Sequence, residues 1–203
     1  MHEAAIEHLS QSDKVLARLI RRVGPCRLEA RRSAGPFQAL VQSVAHQQLN
    51  GTAAKTILKR LIAIYPGRKF PAPEDLLATP DERLRGAGLS RAKTAALKDI
   101  AAKTLEGIVP SSRAIARMSN EEILERLTAI RGVGPWTVEM LLIFTLGRLD
   151  ILPATDFGVR KGFALTYRRK ELPAPSELIK HGERWRPYRT IACWYLWRAL
   201  DAE

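Results

Sequence analysis

Residues Ile123–Lys161 read ILERLTAI-RGVGP-WTVEMLLIFTL-GRLDILPAT-DFGVRK. Ser119 followed by Glu122 is a capping box, which starts a helix just upstream of this stretch. Ile123, Leu124, Leu127 and Ile130 then recur at helical spacing and form one apolar face. The helix stops at Arg131-Gly132-Val133-Gly134-Pro135, where Gly132 and Gly134 accept backbone angles that a side chain forbids. Pro135 suits the first turn of the next helix, because it has no N–H to leave unbonded there. That second helix, Trp136 to Leu146, is apolar almost all round and so reads as buried. Only its N-terminus reaches the surface, with free N–H groups and a partial positive charge, and a phosphate is the natural ligand for such an end. A loop with Gly147 and Pro153 follows. Asp156 then opens a further helix, Phe157 to Tyr167, which carries Arg160 and Lys161. The plainer reading is a glycine turn between two core helices, with a surface aspartate capping a third.

The chain has 203 residues, 46% of them hydrophobic, which is ordinary for a folded protein. Its formal net charge is +12, a balance that suits polyanionic partners, nucleic acid first among them. Two cysteines, Cys26 and Cys193, are too few for a metal set or a disulfide framework, and Cys193 sits in the apolar run IACWYLW as a small core residue. The four histidines are scattered, so no divalent metal is implied. No apolar window is long enough to span a membrane. The N-terminus, MHEAAIEHLSQSDK, lacks the pattern of a signal peptide. A cytoplasmic, nucleoid-associated protein is expected, and nothing demands more than a monomer.

Taken in order, Ala4 to Val23 reads as one amphipathic helix that ends at Gly24-Pro25. Gly35-Pro36 starts a helix that runs to His46. The polar junction Gln47-Gln48-Leu49-Asn50-Gly51 separates it from a helix over Thr52 to Tyr65. Pro66 to Pro73 is a loop, and Thr79-Pro80-Asp81-Glu82 is another start signal, with Thr79 as cap. Gly86 to Ser90 leads into a helix from Arg91 to Glu106. Ser176 starts a helix that reaches Glu183. The last helix holds Trp194, Tyr195 and Trp197, with core packing favoured for Trp185 and Trp194. Useful strand alternation is absent, and the expected fold is all-α.

GVGPWTVEMLL followed by GRLDILPATDFGVRKG resembles the helix-hairpin-helix superfamily of DNA glycosylases, and most of all its alkylpurine, 3-methyladenine DNA glycosylase II branch. GAGLSRAK and ERWRPYRTIACWYLW resemble further segments of that branch, so the likeness covers Phe37 to Trp197. It implies two helical lobes with a cleft between them, in one unit over residues 1–203. The helix-hairpin-helix motif would occupy 120–146 and the catalytic loop 147–160.

The resemblance also implies roles. Asp156 is the catalytic carboxylate, with Asp150 as the competing acid. Trp136, Trp197 and Phe157 line a pocket for the flipped base, and aromatic faces attract a cationic alkylpurine. The family pattern Q-Q-[apolar]-S makes Gln48 the wedge that fills the space of the flipped base, although Asn50 stands where the family has Ser. Gln47, His46 and Leu89 would face the groove or the opposite strand. Gly132, Gly134, Arg91, Lys93, Arg160 and Lys161 would grip phosphates. No cofactor is required. The family's monovalent cation, sodium or potassium, would be held by the carbonyls of Thr128, Ile130 and Val133.

The implied reaction is hydrolysis of the N-glycosidic bond of an alkylated purine in double-stranded DNA. A carboxylate near the anomeric carbon stabilises the oxocarbenium-like transition state or positions the water. Superfamily members that nick the strand carry a lysine where this chain has Trp136, so a monofunctional enzyme is expected. Three rivals stay open: a glycosylase for another purine lesion, a non-catalytic helix-hairpin-helix DNA-binding module, and a basic helical scaffold for protein partners.

Overall fold

A computed structural model describes residues 2–30, 34–47 and 51–201. Among these residues the regular structure is helical throughout, as expected. The chain divides into two compact units, one built from residues 1–30 and 147–203, the other from residues 31–146.

The unit made of the chain ends holds α1 (Glu3–Ser12), α2 (Lys14–Val23), α11 (Phe157–Thr166), α12 (Pro175–Gly182), a 3-10 turn (Glu183–Trp185) and α13 (Arg189–Ala199). Its core gathers Leu9, Leu16, Ile20, Val159, Phe163, Leu178, Trp185, Ile191 and Tyr195. Cys193 is fully buried among them, as its apolar setting foretold, and so is Trp185. Trp194 is only half-buried; its ring lies under the Arg198 guanidinium, 5.7 Å from the centroid.

The single helix expected over Ala4 to Val23 is two helices, because Asp13 breaks it. Asp13 takes an extended backbone (φ −146°, ψ 102°), and its Oδ1 accepts the amides of Val15 and Leu16 at 3.0 Å each. Its Oδ2 accepts the Tyr167 hydroxyl at 2.6 Å, His181 Nε2 at 3.0 Å and the Trp185 indole N–H at 3.1 Å. Burial alone would push this carboxyl up. The bonds from His181, Tyr167, the Leu16 amide and Trp185 outweigh that and hold it well below the usual carboxylate range. One buried anion thus ties α2 to α11, α12 and the 3-10 turn.

Helix α11 crosses α13 closely. A Cβ on Gly162 would lie 2.0 Å from the Leu196 carbonyl oxygen, so only glycine fits this crossing.

The second unit contains α3 (Pro36–His46), α4 (Gly51–Ala63), α5 (Pro73–Ala78), α6 (Asp81–Gly86), α7 (Arg91–Leu105), α8 (Ser112–Ile115), α9 (Asn120–Thr128) and α10 (Pro135–Phe144). Helix α5 follows the loop expected over Pro66 to Pro73. It begins at Pro73 with acids in its first turn, and Asp75 Oδ2 accepts the Ala72 amide at 2.8 Å. The Thr79 side chain does not cap α6, whose N-cap is Pro80; its hydroxyl donates to the Asp75 carbonyl at 2.7 Å and meets the Tyr65 hydroxyl at 2.8 Å. The capping box at Ser119 and Glu122 forms as expected, with bonds of 3.1 and 2.6 Å. Helix α10 buries Thr137, Val138, Met140, Leu141, Leu142 and Ile143, which accounts for its nearly uniform hydrophobicity.

Candidate active site

In the chain-end unit, the loop before α11 is fixed before it delivers its aspartate. The Thr190 hydroxyl donates to the Arg148 carbonyl at 2.8 Å and accepts the Ile151 amide at 2.9 Å, while the Thr190 amide donates to the Leu149 carbonyl at 3.0 Å. The N-terminus of α13 therefore clamps residues 148–151. Asp150 is consumed in this clamp. Arg189 donates from Nε to Oδ1 at 2.7 Å and from Nη2 to Oδ2 at 3.0 Å, and Arg186 Nη1 donates to Oδ2 at 2.8 Å. A carboxylate shared by two guanidiniums serves structure, which separates Asp150 from its competitor for the catalytic role.

Asp156 stands at the N-terminus of α11. Its Oδ1 accepts the Val159 amide at 2.7 Å and the Trp197 indole N–H at 2.9 Å. The first bond is an ordinary N-cap. The second comes from a half-buried tryptophan on α13, so one carboxylate oxygen is fixed from two helices. Gly158 makes this possible. A Cβ there would lie 2.9 Å from Trp197 Cδ1 and 3.1 Å from both Asp156 Oδ1 and Trp197 Nε1. Next to Asp156, Phe157 is 65% exposed, so its ring is open to a ligand. Trp197 and Phe157 thus flank Asp156 in one unit. Arg160, expected at a phosphate, donates from Nε to the Pro173 carbonyl at 2.9 Å and braces the loop after α11. Lys161 is exposed.

The other unit carries the hairpin. Helix α9 ends at Thr128, the Val133 amide donates to the Ile130 carbonyl at 3.1 Å, and Gly134 caps α10 with Pro135 in its first turn. Gly132 has φ +76°, and a Cβ on it would lie 2.6 Å from Ala96 Cβ on α7. Glycine is therefore needed here both for its backbone angle and for room. The amides of Gly132 and Gly134 have no hydrogen-bond partner among the described residues. This is the arrangement that a phosphate oxygen satisfies. Trp136, two residues after Gly134, is half-buried.

Two residues expected at DNA hold this hairpin and its neighbours in place. Gln47 Nε2 donates to the Gly132 carbonyl and to Thr137 Oγ1, each at 2.9 Å, and so pins the turn. Lys93 Nζ donates to the carbonyls of Ala45 at 3.0 Å and Gln47 at 2.7 Å, closing the C-terminus of α3, and its burial lowers the ammonium's pKa. Arg91, on the same helix, is exposed. His46 Nδ1 donates to the Gln42 carbonyl at 2.7 Å. Leu89 departs from expectation. It is only 4% exposed and packs in the core of its unit, because Gly88 at φ +105° turns the chain inward, so its side chain does not present a wedge. Gln48, the expected wedge, lies outside the described residues, as do Leu49 and Asn50.

The sequence pattern did not single out Thr190, Arg189, Gly158 or Gln47 as structural determinants of the site. The Gly158-to-Gly162 spacing of four, both on one helix face, is the signal from which the close α11–α13 contact could have been read.

The description "HhH-GPD superfamily base excision DNA repair protein" matches residues 41–187. Over 192 residues the chain is 41% identical to DNA-3-methyladenine glycosylase 1 of Schizosaccharomyces pombe, covering 94% of this chain and 84% of that one. It is 34% identical to alkylbase DNA glycosidase-like protein mag2 of the same yeast, with 97% and 93% covered. Its fold is similar to the solved structure of the S. pombe 3-methyladenine DNA glycosylase in complex with abasic DNA. That match has a TM-score of 0.93 at 41% identity and covers 96% of this chain and 95% of the other. A DNA-3-methyladenine glycosidase from Bacillus halodurans matches with a TM-score of 0.79 at 36% identity, over 95% and 86% of the two chains.

Proposed function

The chain belongs to the HhH-GPD superfamily of base excision DNA repair proteins, and from that premise we propose that it is a monofunctional DNA glycosylase that excises alkylated purines such as 3-methyladenine and 7-methylguanine. The observation that carries the reading is the Asp156 carboxylate, held at a helix N-terminus by the Val159 amide and the Trp197 indole. It stands in a chain 41% identical to a DNA-3-methyladenine glycosylase.

The bond to be broken joins C1′ of the deoxyribose to a purine nitrogen. Its electron pair leaves with the base, which is already cationic and so needs little acid assistance. Positive charge grows on C1′ and its ring oxygen, and the Asp156 anion opposes it. Water then adds to C1′ and loses a proton, leaving an abasic site on an intact strand. Trp136 has no amine to form a Schiff base with the sugar, so strand cleavage does not follow. Trp197 and Phe157 beside Asp156 supply electron-rich faces that favour a cationic base over a neutral one.

The hairpin amides of Gly132 and Gly134 take a phosphate of the duplex, with Arg91 of the same unit adding charge. The carbonyls of Thr128, Ile130 and Val133 would be the donors for a sodium or potassium ion. Thr128 ends α9, where helix carbonyls lack partners and the dipole is negative. Neutral carbonyl donors suit a monovalent charge. A cation bound there would offset the repulsion between these carbonyls and the phosphate that the hairpin approaches.

The decisive experiment is single-turnover base release from methylated duplex DNA by wild type and Asp156→Asn. Release by wild type, strand nicking only after alkali, and a loss of at least ~100-fold in the variant are expected from removing an electrostatic stabiliser. Equal DNA binding by both proteins without any base release would leave a binding module as the better description.

A further inference from the structure

We propose that α2 and the C-terminal ends of α11 and α13 form a second phosphodiester-binding surface, which holds a DNA segment other than the one presented to Asp156. The choice of DNA as the polyanion rests on the functional reading above; the surface itself rests on independent observations.

Helix α2 turns Lys14, Arg18, Arg21 and Arg22 outward, all exposed, while it buries Leu16, Ala17, Leu19 and Ile20. Arg18 and Arg22 line a surface cavity of about 430 Å³, together with Arg168 beyond the end of α11 and Ala199 at the end of α13. Arg18 also lines a neighbouring concavity with Lys14 and Arg21. None of these five cations forms an ion pair among the described residues. Three other arginines of the same unit are neutralised: Arg169 by Glu177 at 2.9 Å, Arg189 by Asp150 at 2.7 Å and Arg198 by Asp201 at 3.0 Å.

Lys14, Arg18 and Arg22 recur every four residues, about 6 Å apart along the helix, the spacing at which like charges on a helix repel one another. The backbone of Arg168 adds a second cost. It lies at φ +54°, and the Arg169 amide closes back on the Ala164 carbonyl at 2.8 Å, a helix ending in which glycine is the usual residue. Among the described residues, Arg168 alone of the non-glycines has positive φ. Repulsion and backbone strain therefore coincide at one cavity, where an external anion would relieve the repulsion.

A single small anion would engage one pocket. A row of charges across two adjoining concavities suits a linear polyanion, and the guanidinium fork matches phosphate oxygens. The site is not an extension of the catalytic one. Asp156 caps the N-terminus of α11 and Arg168 lies beyond its C-terminus, so the ten-residue helix, about 15 Å long, points its two ends in opposite directions. A protein with two such surfaces can touch a new DNA segment before it releases the old one, and so pass between segments during its search.

The test uses the full chain, a donor-labelled methylated duplex and an acceptor-labelled undamaged duplex, both short, at low salt. Wild type should bring the two duplexes together and produce energy transfer. The variant Arg18→Gln/Arg22→Gln/Arg168→Gly should lose that transfer, release methylpurine from the isolated lesion duplex within twofold of the wild-type rate, and show a salt slope of second-duplex binding smaller by about 2–3. Glycine at 168 relieves the positive φ, so the melting temperature should hold or rise and exclude misfolding. Saturation of wild type by one duplex, or energy transfer retained by the variant, would overturn the proposal. So would a fall in excision on the isolated duplex, since the surface would then serve the primary substrate. If wild type bridges duplexes yet releases no base, this inference stands and the catalytic reading fails.

Discussion

Gly158→Ala tests how Asp156 is held without touching sugar, base or phosphate. Alanine in a helix is ordinarily worth ~1 kcal/mol over glycine, so a stabler protein is the outcome if space allows. Space does not allow it. The new Cβ would stand 2.9 Å from Trp197 Cδ1, whereas carbon atoms rest at ~3.5–4.0 Å. The indole must therefore retreat by ~0.6 Å or more. Its N–H now reaches Asp156 Oδ1 over 2.9 Å, and a retreat of that size away from the carboxylate stretches the bond to ~3.5 Å, where it ceases to count. Hydrogen bonds to ionised groups contribute ~1.5–3 kcal/mol. If that much is lost in the transition state, excision slows by ~10- to 150-fold. The assay is single-turnover methylpurine release at saturating enzyme, alongside urea unfolding. Trp197→Phe removes the same N–H and should fall in the same range. The double variant should be little worse than either single one, because both remove one interaction. A Gly158→Ala protein that gains ~1 kcal/mol and keeps the wild-type excision rate would refute the reasoning.

Other perturbations probe the parts that support this pair. Gly162→Ala drives a Cβ to 2.0 Å from the Leu196 carbonyl oxygen; backbone cannot yield as a side chain does, so a loss of ~3 kcal/mol or more in urea unfolding is expected, and an unchanged midpoint would deny the close crossing of α11 and α13. Asp13→Asn leaves the donors of Tyr167, His181 and Trp185 facing an amide, at a cost of ~3–5 kcal/mol. The pH dependence follows from the lowered carboxyl: its contribution is present above the ordinary value of 3.8 and fades as pH falls below it. The wild-type urea midpoint should therefore start to drop as pH falls through about 4 and keep falling below it, with a shallower drop in Asp13→Asn; parallel curves would remove Asp13 as the cause. Gln47→Ala strips the hairpin of its bonds to Gly132 and Thr137. It should cost ~1–2 kcal/mol of stability and weaken binding to an undamaged duplex, which a fluorescence titration would read; unchanged affinity would mean that the turn holds its shape unaided.

The hairpin was legible because its determinants are local. Glycines at 132 and 134, a proline at 135 and a capping box at Ser119 each act within a few residues, and the helices begin where these signals put them, although α10 ends at Phe144 and not at Leu146. Asp156 was legible for the same reason, as the cap of the helix it opens. What escaped depends on partners far along the chain. The break at Asp13 is made by local amides, but its weight comes from Tyr167, His181 and Trp185, more than 150 residues away. The neutralisation of Asp150 by Arg189 and the bond from Trp197 to Asp156 are likewise invisible to spacing. Leu89 misled because an apolar residue after a glycine turn reads equally well as a tip or as core. Only the direction of the chain after Gly88 separates the two.

These long-range pairs share a design. The acid proposed for chemistry and the acid spent on structure lie six residues apart, and both are held by α13. Arg189 and Thr190 at its start take Asp150 and the loop backbone, while Trp197 near its end takes Asp156. Glycines at 158 and 162 let α11 come close enough for that assignment. Helix α13 is thus the template that sorts two similar carboxylates into different roles. Any substitution that shifts it along its axis should cost excision more than it costs stability, because the loop can follow the helix while a sugar held at Asp156, as proposed, would not.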